Sequence, residues 1–455
     1  MKQLEFGVAD FPPAWEQVAA LYRAVLDLGR PATETLYACL RQYGIEPTVH
    51  VAGELFVSNP VLVPGYIVDR MTEDLNRFVD QRRDAVRDAA GLLALVPPEV
   101  RAGLTSDEVA AVLWERLQSE PPLASLDAFL VDTGNGLAPS YIEWQTVGTY
   151  ATMARWALRC AHSAWGPLAA ASPVATRGWD MATLDRRLAT LYLAGIEDDP
   201  RRGVILDYKP LEQKSRREFF AIQELTGGPA RGWGILDPRE VVYMTLPGSA
   251  RAQPCYRRDG ALVPIHRAYS RLVHSDIVGR LLPDCTLDER SALQRLFGDP
   301  NIHWVSHPIH FYYGTKANFV DYHRDSLSPY VPETRLVTDD LLDAFRRAGR
   351  DPLTGLVYKP TLGNSGQAVE ADPALANVEP GGLLQARIHP VACHPTLFGP
   401  RVPEIRLMGI PDAGRLTGAA LYNRVMPVDS FKSNASVVAA RGEPGTGEGF
   451  GFVVW

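Results

Sequence analysis

The spacing of apolar residues changes once, near residue 125, and that change restricts the folds open to the chain. Over residues 1–122 apolar side chains recur every three or four positions, as in WEQVAALYRAVLDLG and DLNRFVDQRRDAVRD, which predicts a mainly helical region. Thr105-Ser106-Asp107-Glu108 marks a helix start, with a capping hydroxyl and an acidic first turn. From Ser125 the period becomes two. LDAFLVD alternates, TGNGLAP turns and SYIEWQ alternates again, which predicts a β-hairpin. The expected class is mixed α/β, an α+β arrangement in several domains.

Glu143 and Gln145 stand two apart on the second strand, so their side chains leave the same face. A carboxylate and an amide oxygen side by side are hard-oxygen donors of the kind Mg²⁺ takes beside phosphate oxygens. The hairpin brings Asp127 or Asp132 near them as a further carboxylate.

Residues 201–300 alternate strand and helix. GVILDYKP and GWGILDPREVVYM read as strands, RREFFAIQEL as a helix, and CYRRDGALVP as a hairpin turning on Asp259-Gly260 and leading to a helix. A small parallel sheet flanked by helices is expected, with Asp207, Lys209, Arg257 and Arg271 as charged residues that could face a cleft. His303, His307 and His310 follow in a run that reads as β-like. Pro308 interrupts any helix that would set two of these histidines on one face, so a zinc site is not expected.

The stretch 331–387 holds VPETRLV, a helical DDLLDAFRRAG, then GLVYKPTLGNSGQAVE and GLLQARI. Lys359 ends a short strand, because Pro360 cannot donate to a sheet ladder. Gly363 and Gly366 bound a turn able to present successive backbone N–H groups to an anion. Lysine plus amide nest is a phosphate-binding combination, and the Walker pattern GxxxxGK[ST] is absent.

Composition narrows the partners. A formal charge of −7 leaves no basic footprint for nucleic acid or an anionic membrane surface. No stretch reaches the length of a transmembrane helix, and MKQLEFGVADFPPAW lacks a secretory apolar core. Five dispersed cysteines without a CxxC pair fit reduced thiols, so a cytoplasmic enzyme is expected. The four regions read from the sequence are 1–122, 123–200, 201–300 and 301–455.

The order of these motifs resembles the ATP-grasp ligases, in the circularly permuted branch that includes glutathionylspermidine synthetase and eukaryotic glutathione synthetase. The resemblance rests on the Pro-Glu-Thr segment at 332–334, Lys359-Pro360, the small-residue loop 363–366, the strand 383–387, Glu404-Ile-Arg406, and Asn423-Arg424 through 433–436. It implies that Asp127, Glu143 and Gln145 hold Mg²⁺, with Gln145 standing where that family has Asn. It implies that Lys316 and Lys359 bind the α- and β-phosphates of ATP, while Asn364, Ser365 and Gly366 cover the γ-phosphate. Gln385 and Ala386 would meet adenine, Arg406 or Arg424 would orient the acyl phosphate, and Arg271, Asn434 and Ser436 would contact substrate. The expected activity is ATP-dependent joining of a small carboxylate to an amine, such as an amino acid, peptide or polyamine. An ATP-grasp phosphotransferase and a non-catalytic nucleotide-binding protein are the alternatives, and a homodimer is left open.

Overall fold

The computed structural model describes residues 13–45, 60–134, 136–147, 149–166, 171–213, 215–248, 250–362, 368–396, 399–426 and 447–455. Helices fill the first quarter: Pro13–Gln42, Gly65–Val86, Ala89–Ala94, Pro98–Leu104 and Asp107–Ser119. Ser106 caps the last of them by accepting from Val109 N–H, as the TSDE pattern predicts.

A large sheet of eight strands organises the fold. Its main path runs Val61–Pro64, Gly447–Val454, Arg415–Met426, Gly399–Asp412, Ala124–Asp132 and Leu137–Gln145. The last two are the hairpin read from the period-two alternation. Helix Gly65–Val86 lies on this sheet, and Asn76 is one of the side chains that fasten it. Asn76 Nδ2 donates to Leu416 O at 2.8 Å, and Leu416 N donates to Asn76 Oδ1 at 2.9 Å. The approach is close: a Cβ at Gly418 would meet Thr72 Oγ1 at 2.6 Å, so glycine is needed there.

Three smaller sheets accompany the large one, one of them the three-stranded antiparallel sheet of Val242–Met244, Gln253–Arg258 and Ala261–Pro264. Of the other two, the first is parallel, in the spatial order Gly234–Leu236, Gly203–Leu206, Arg267–Ser270, His303–Ser306. The expected hairpin at Asp259-Gly260 forms, both residues adopting positive φ, but the RAYS run after it is a strand of this sheet instead of a helix. The second small sheet is antiparallel, in the order Thr334–Leu336, Leu383–Ala386, Leu356–Lys359, Glu370–Ala371. It carries its own apolar cluster of Val337, Leu342, Phe345, Leu353, Tyr358 and Leu384. One larger core joins the helices, the large sheet and the parallel sheet.

Two further expectations need correction. The 303–310 run is β-like only as far as Ser306, after which Pro308 opens helix Pro308–Tyr313 with His307 as its cap. A proline fits the first helical turn, where its missing N–H costs no bond. The cysteines are not all free thiols: Cys39 and Cys160 form a disulfide. Helix Pro13–Gln42 packs along helix Ala151–Ala164, and this brings the two Cα atoms to 5.4 Å across 121 residues of sequence. Among the described residues no helix is long and apolar enough to cross a membrane.

Candidate functional site

The site lies where the hairpin, the two long strands beside it and the small antiparallel sheet that carries Lys359 meet. Asp127 pairs across the ladder with Arg406 on one side and Glu143 on the other. Glu404, two residues from Arg406, pairs with Arg424. Because side chains two apart on a strand share a face, cross-strand pairing, which also sets Glu448 opposite Arg424, collects six ionisable groups on one patch. The hairpin register slips beside Asp127, leaving Ile142 as an extra residue between Tyr141 and Glu143. Tyr141 is anchored on both ends. Its N–H donates to Tyr330 O at 3.0 Å and its hydroxyl to Asp74 Oδ2 at 2.7 Å.

Each charge has a defined partner. Arg406 Nε donates to Asp127 Oδ1 at 2.7 Å and Arg406 Nη2 to Asp127 Oδ2, a bidentate pair with both side chains buried. Arg424 Nη1 donates to Glu404 Oε1 at 2.9 Å. Lys316, in the turn leading into helix Asn318–Arg324, pairs with Glu143 at 3.4 Å. Gln145 Nε2 donates to Glu143 Oε1. Lys359 has no carboxylate partner in contact among the described residues. Its Nζ donates to Gln385 Oε1 at 2.6 Å and, across the gap between sheets, to Ile142 O at 3.2 Å.

Among the described residues four cations, Lys316, Lys359, Arg406 and Arg424, therefore face four carboxylates, Asp127, Glu143, Glu404 and Glu448, the last opposite Arg424 on the neighbouring strand. The titration of these groups follows from that crowding. Burial alone would raise Glu143, but Lys316, Arg406, Lys359 and Arg424 outweigh it and hold its carboxyl below the ordinary range. Burial raises Glu404, and the neighbouring Asp127 and Glu143 charges add to the rise against the pull of Arg424 and Arg406. Burial, helped by the Lys316 charge and opposed by Glu143, brings the Lys359 ammonium down to about 8.

The structure brings together Asp127, Glu143, Gln145, Lys316, Lys359, Gln385, Arg406 and Arg424. Asp132, the rival of Asp127, is exposed at the hairpin turn, where its side chain accepts from Gly134 N. As a metal set the donors fit in part. Glu143 and the Gln145 amide oxygen are hard oxygens on one strand, whereas both oxygens of Asp127 are held by Arg406. No cluster of three or more His, Cys, Asp or Glu able to hold a metal occurs among the described residues. Gln385 points its side chain at Lys359, and Ala386 N–H is used by Glu333 O at 2.8 Å. Asn364, Ser365, Gly366, Asn434 and Ser436 lie outside the described residues.

Arg271 sits at a different edge. Asp207 and Arg271 directly follow the neighbouring strands Gly203–Leu206 and Arg267–Ser270 and pair at 3.5 Å, and Arg271 Nη2 donates to the Tyr150 hydroxyl at 2.9 Å. Burial raises Asp207 to about 7, against the pull of Arg271. The loops beyond these strands line an open cavity of ≈ 390 Å³ with Tyr208, Lys209, Gln213 and Arg280 among its walls. Both ring nitrogens of His307 are used within the protein: Nδ1 accepts from Ile309 N–H and caps the helix, and Nε2 meets Phe297 O at 2.9 Å.

Glu404 and Thr334 entered the sequence reading only as motif residues without a role, and the Ile142 carbonyl did not enter it. The first had a usable signal, since Glu404 and Arg406 are two apart on a strand. The Ile142 carbonyl had none, because a bulge is not written in alternation.

No protein-family model matches this chain, and no curated protein matches it. Among solved structures it is similar to a glutathione synthetase-like effector from Globodera pallida in its apo form. That similarity has 12% identity and a TM-score of 0.46, covering 93% of this chain and 96% of the other. Neither the family nor the activity of this chain is assigned by a likeness of that degree.

Proposed function

We propose that the protein is an ATP-dependent carboxylate–amine ligase that works through an acyl phosphate. The observation that carries this reading is the buried cluster in which the Lys359 ammonium, hydrogen-bonded only to neutral oxygens among the described residues, stands beside Lys316, Arg406 and Arg424. A group of cations in which one ammonium has only neutral hydrogen-bond acceptors attracts a polyanion, and a partly desolvated site strengthens the attraction. In the reaction a carboxylate oxygen attacks the γ-phosphorus and the bond to ADP breaks. The amine nitrogen then attacks the acyl carbon, and phosphate leaves with the carbon–oxygen bond pair.

The residues divide that work by what they have free. Lys316 and Lys359 supply charge for the phosphates. Arg424 suits the acyl phosphate better than Arg406 does, since Arg406 spends Nε and Nη2 on Asp127 and its side chain is 4% exposed against 22% for Arg424. Glu143 and Gln145 would hold Mg²⁺, which when bound neutralises phosphate charge. Asp207 and Arg271 flank the point where strand order reverses in the parallel sheet, at the carboxyl ends where α/β sheets take ligands. They mark the acceptor side of the reading.

The test is pairwise screening of amino acids and polyamines for phosphate release from Mg·ATP. ADP with free phosphate, formed only when an amine is present, supports the ligase. Phosphoryl transfer to the acceptor without free phosphate supports a phosphotransferase. ATP binding without turnover supports a non-catalytic protein, a reading favoured by the complete internal pairing of Asp127 with Arg406.

A further inference from the structure

The resemblance gives Gln385 to adenine, yet its side chain is committed elsewhere, and the direction of that commitment is chemically forced. Thr334 Oγ1 donates its single proton to Pro332 O at 2.9 Å. It can then only accept from Gln385, whose Nε2 lies 3.1 Å away. With the amide nitrogen turned to Thr334, the amide oxygen faces Lys359 Nζ at 2.6 Å. Lysine has no acceptor, so this orientation is the one the pair can use. Thr334, Gln385 and Lys359 are all buried, and the first two sit opposite each other on adjacent strands. The ammonium spends a second N–H on the bulged Ile142 carbonyl of the large sheet. Its third N–H has no acceptor among the described residues.

We propose that Thr334 and Gln385 are positioning residues. They hold the Lys359 ammonium at the seam between two sheets, with one N–H left for an oxygen of an anionic ligand. This rests on the reading of the site as a nucleotide-phosphate site, and it removes the Gln385 side chain from adenine recognition. A freely rotating lysine would have to be ordered when the ligand arrives, whereas a chain of three fixed bonds has already ordered it.

The experiment compares Mg·ATP with inorganic tripolyphosphate, which has the phosphates without the base, by calorimetry on the full chain. Gln385→Leu should weaken both ligands about tenfold, the worth of one hydrogen bond to a charged group. In a Lys359→Met background it should weaken neither further. Thr334→Val should follow Gln385→Leu in direction, and Thr334→Ser, which keeps the hydroxyl, should bind as the wild type does. A loss confined to ATP, or one of equal size in the Lys359→Met background, overturns the proposal, because Gln385 would then touch the ligand itself. If the wild-type protein binds neither ligand, the nucleotide reading falls separately. The positioning claim is then decided by denaturant unfolding of the single and double variants: non-additive losses for Gln385→Leu and Lys359→Met uphold it, and additive ones refute it.

Discussion

Lys359→Met separates a structural lysine from a ligand-binding one, because the two roles predict different balances. Methionine keeps an unbranched side chain of similar length and removes the charge. Burial lowers the folded ammonium from 10.5 to about 8, so holding it charged costs about 3 kcal/mol at neutral pH. Its removal recovers that cost but leaves Gln385 Oε1 and Ile142 O without their donor, at roughly 1–3 kcal/mol each. The opposing terms nearly cancel, and the variant should unfold within about 2 kcal/mol of the wild type. Phosphate binding has no such cancellation. Losing one cation from the cluster should cost on the order of 2–4 kcal/mol of transition-state stabilisation, or roughly 30- to 1000-fold in rate. The assay is ATP calorimetry and amine-stimulated ADP release beside denaturant unfolding. The pH dependence adds a check on sign. Above 10.5 the lysine is neutral in both folded and unfolded chains; as pH falls from 10.5 to about 8 the unfolded chain takes the proton first, so the wild type loses stability relative to the variant over that window. Unchanged ATP affinity in Lys359→Met, or a loss that merely tracks unfolding, would refute the reasoning.

Glu143→Gln should abolish turnover and its dependence on Mg²⁺ concentration while leaving Lys316 a hydrogen-bond acceptor; wild-type rates across a Mg²⁺ titration would remove Glu143 from the site. Reducing the Cys39–Cys160 disulfide should lower the thermal midpoint, since a crosslink over 121 residues restricts the unfolded chain by up to roughly 5 kcal/mol; an unchanged midpoint with both thiols trapped by alkylation would count against it. His307 and His310 are buried neutral, their ring pKa values pushed down to about 3 and about 4 by loss of solvent. The unfolded chain protonates them at 6.5, so stability should be intact above that pH and fall by about 1.4 kcal/mol per unit per histidine toward pH 4. His307→Asn, able to keep the helix cap, should give a shallower acid slope in pH-dependent denaturation.

Local patterns were legible wherever one short-range force dominates. The alternation in LDAFLVD and SYIEWQ reports burial of one sheet face, and both strands form where it stands. Asp259-Gly260 reports a backbone that needs positive φ, and both residues adopt it. The run RAYS reads no differently from the start of a helix, and it became a strand because the parallel sheet had an open position between Gly203–Leu206 and His303–Ser306.

The sequence by itself determined the helical first quarter, the carboxylate hairpin, the strand that ends at Lys359 and the residue types available to a phosphate site. Tertiary structure alone decided who meets whom. The antiparallel register of Gly399–Asp412 set Arg406 against Asp127 and Glu404 against Arg424, residues far apart or two apart in a chain that records no register. The bulge at Ile142 released the carbonyl that Lys359 reaches from another sheet, and the docking of two helices closed a disulfide that spacing concealed. The physical reason is range. Periodicity and turn chemistry act within a few residues, whereas pairing of buried charges is chosen by the packing of elements hundreds of residues apart.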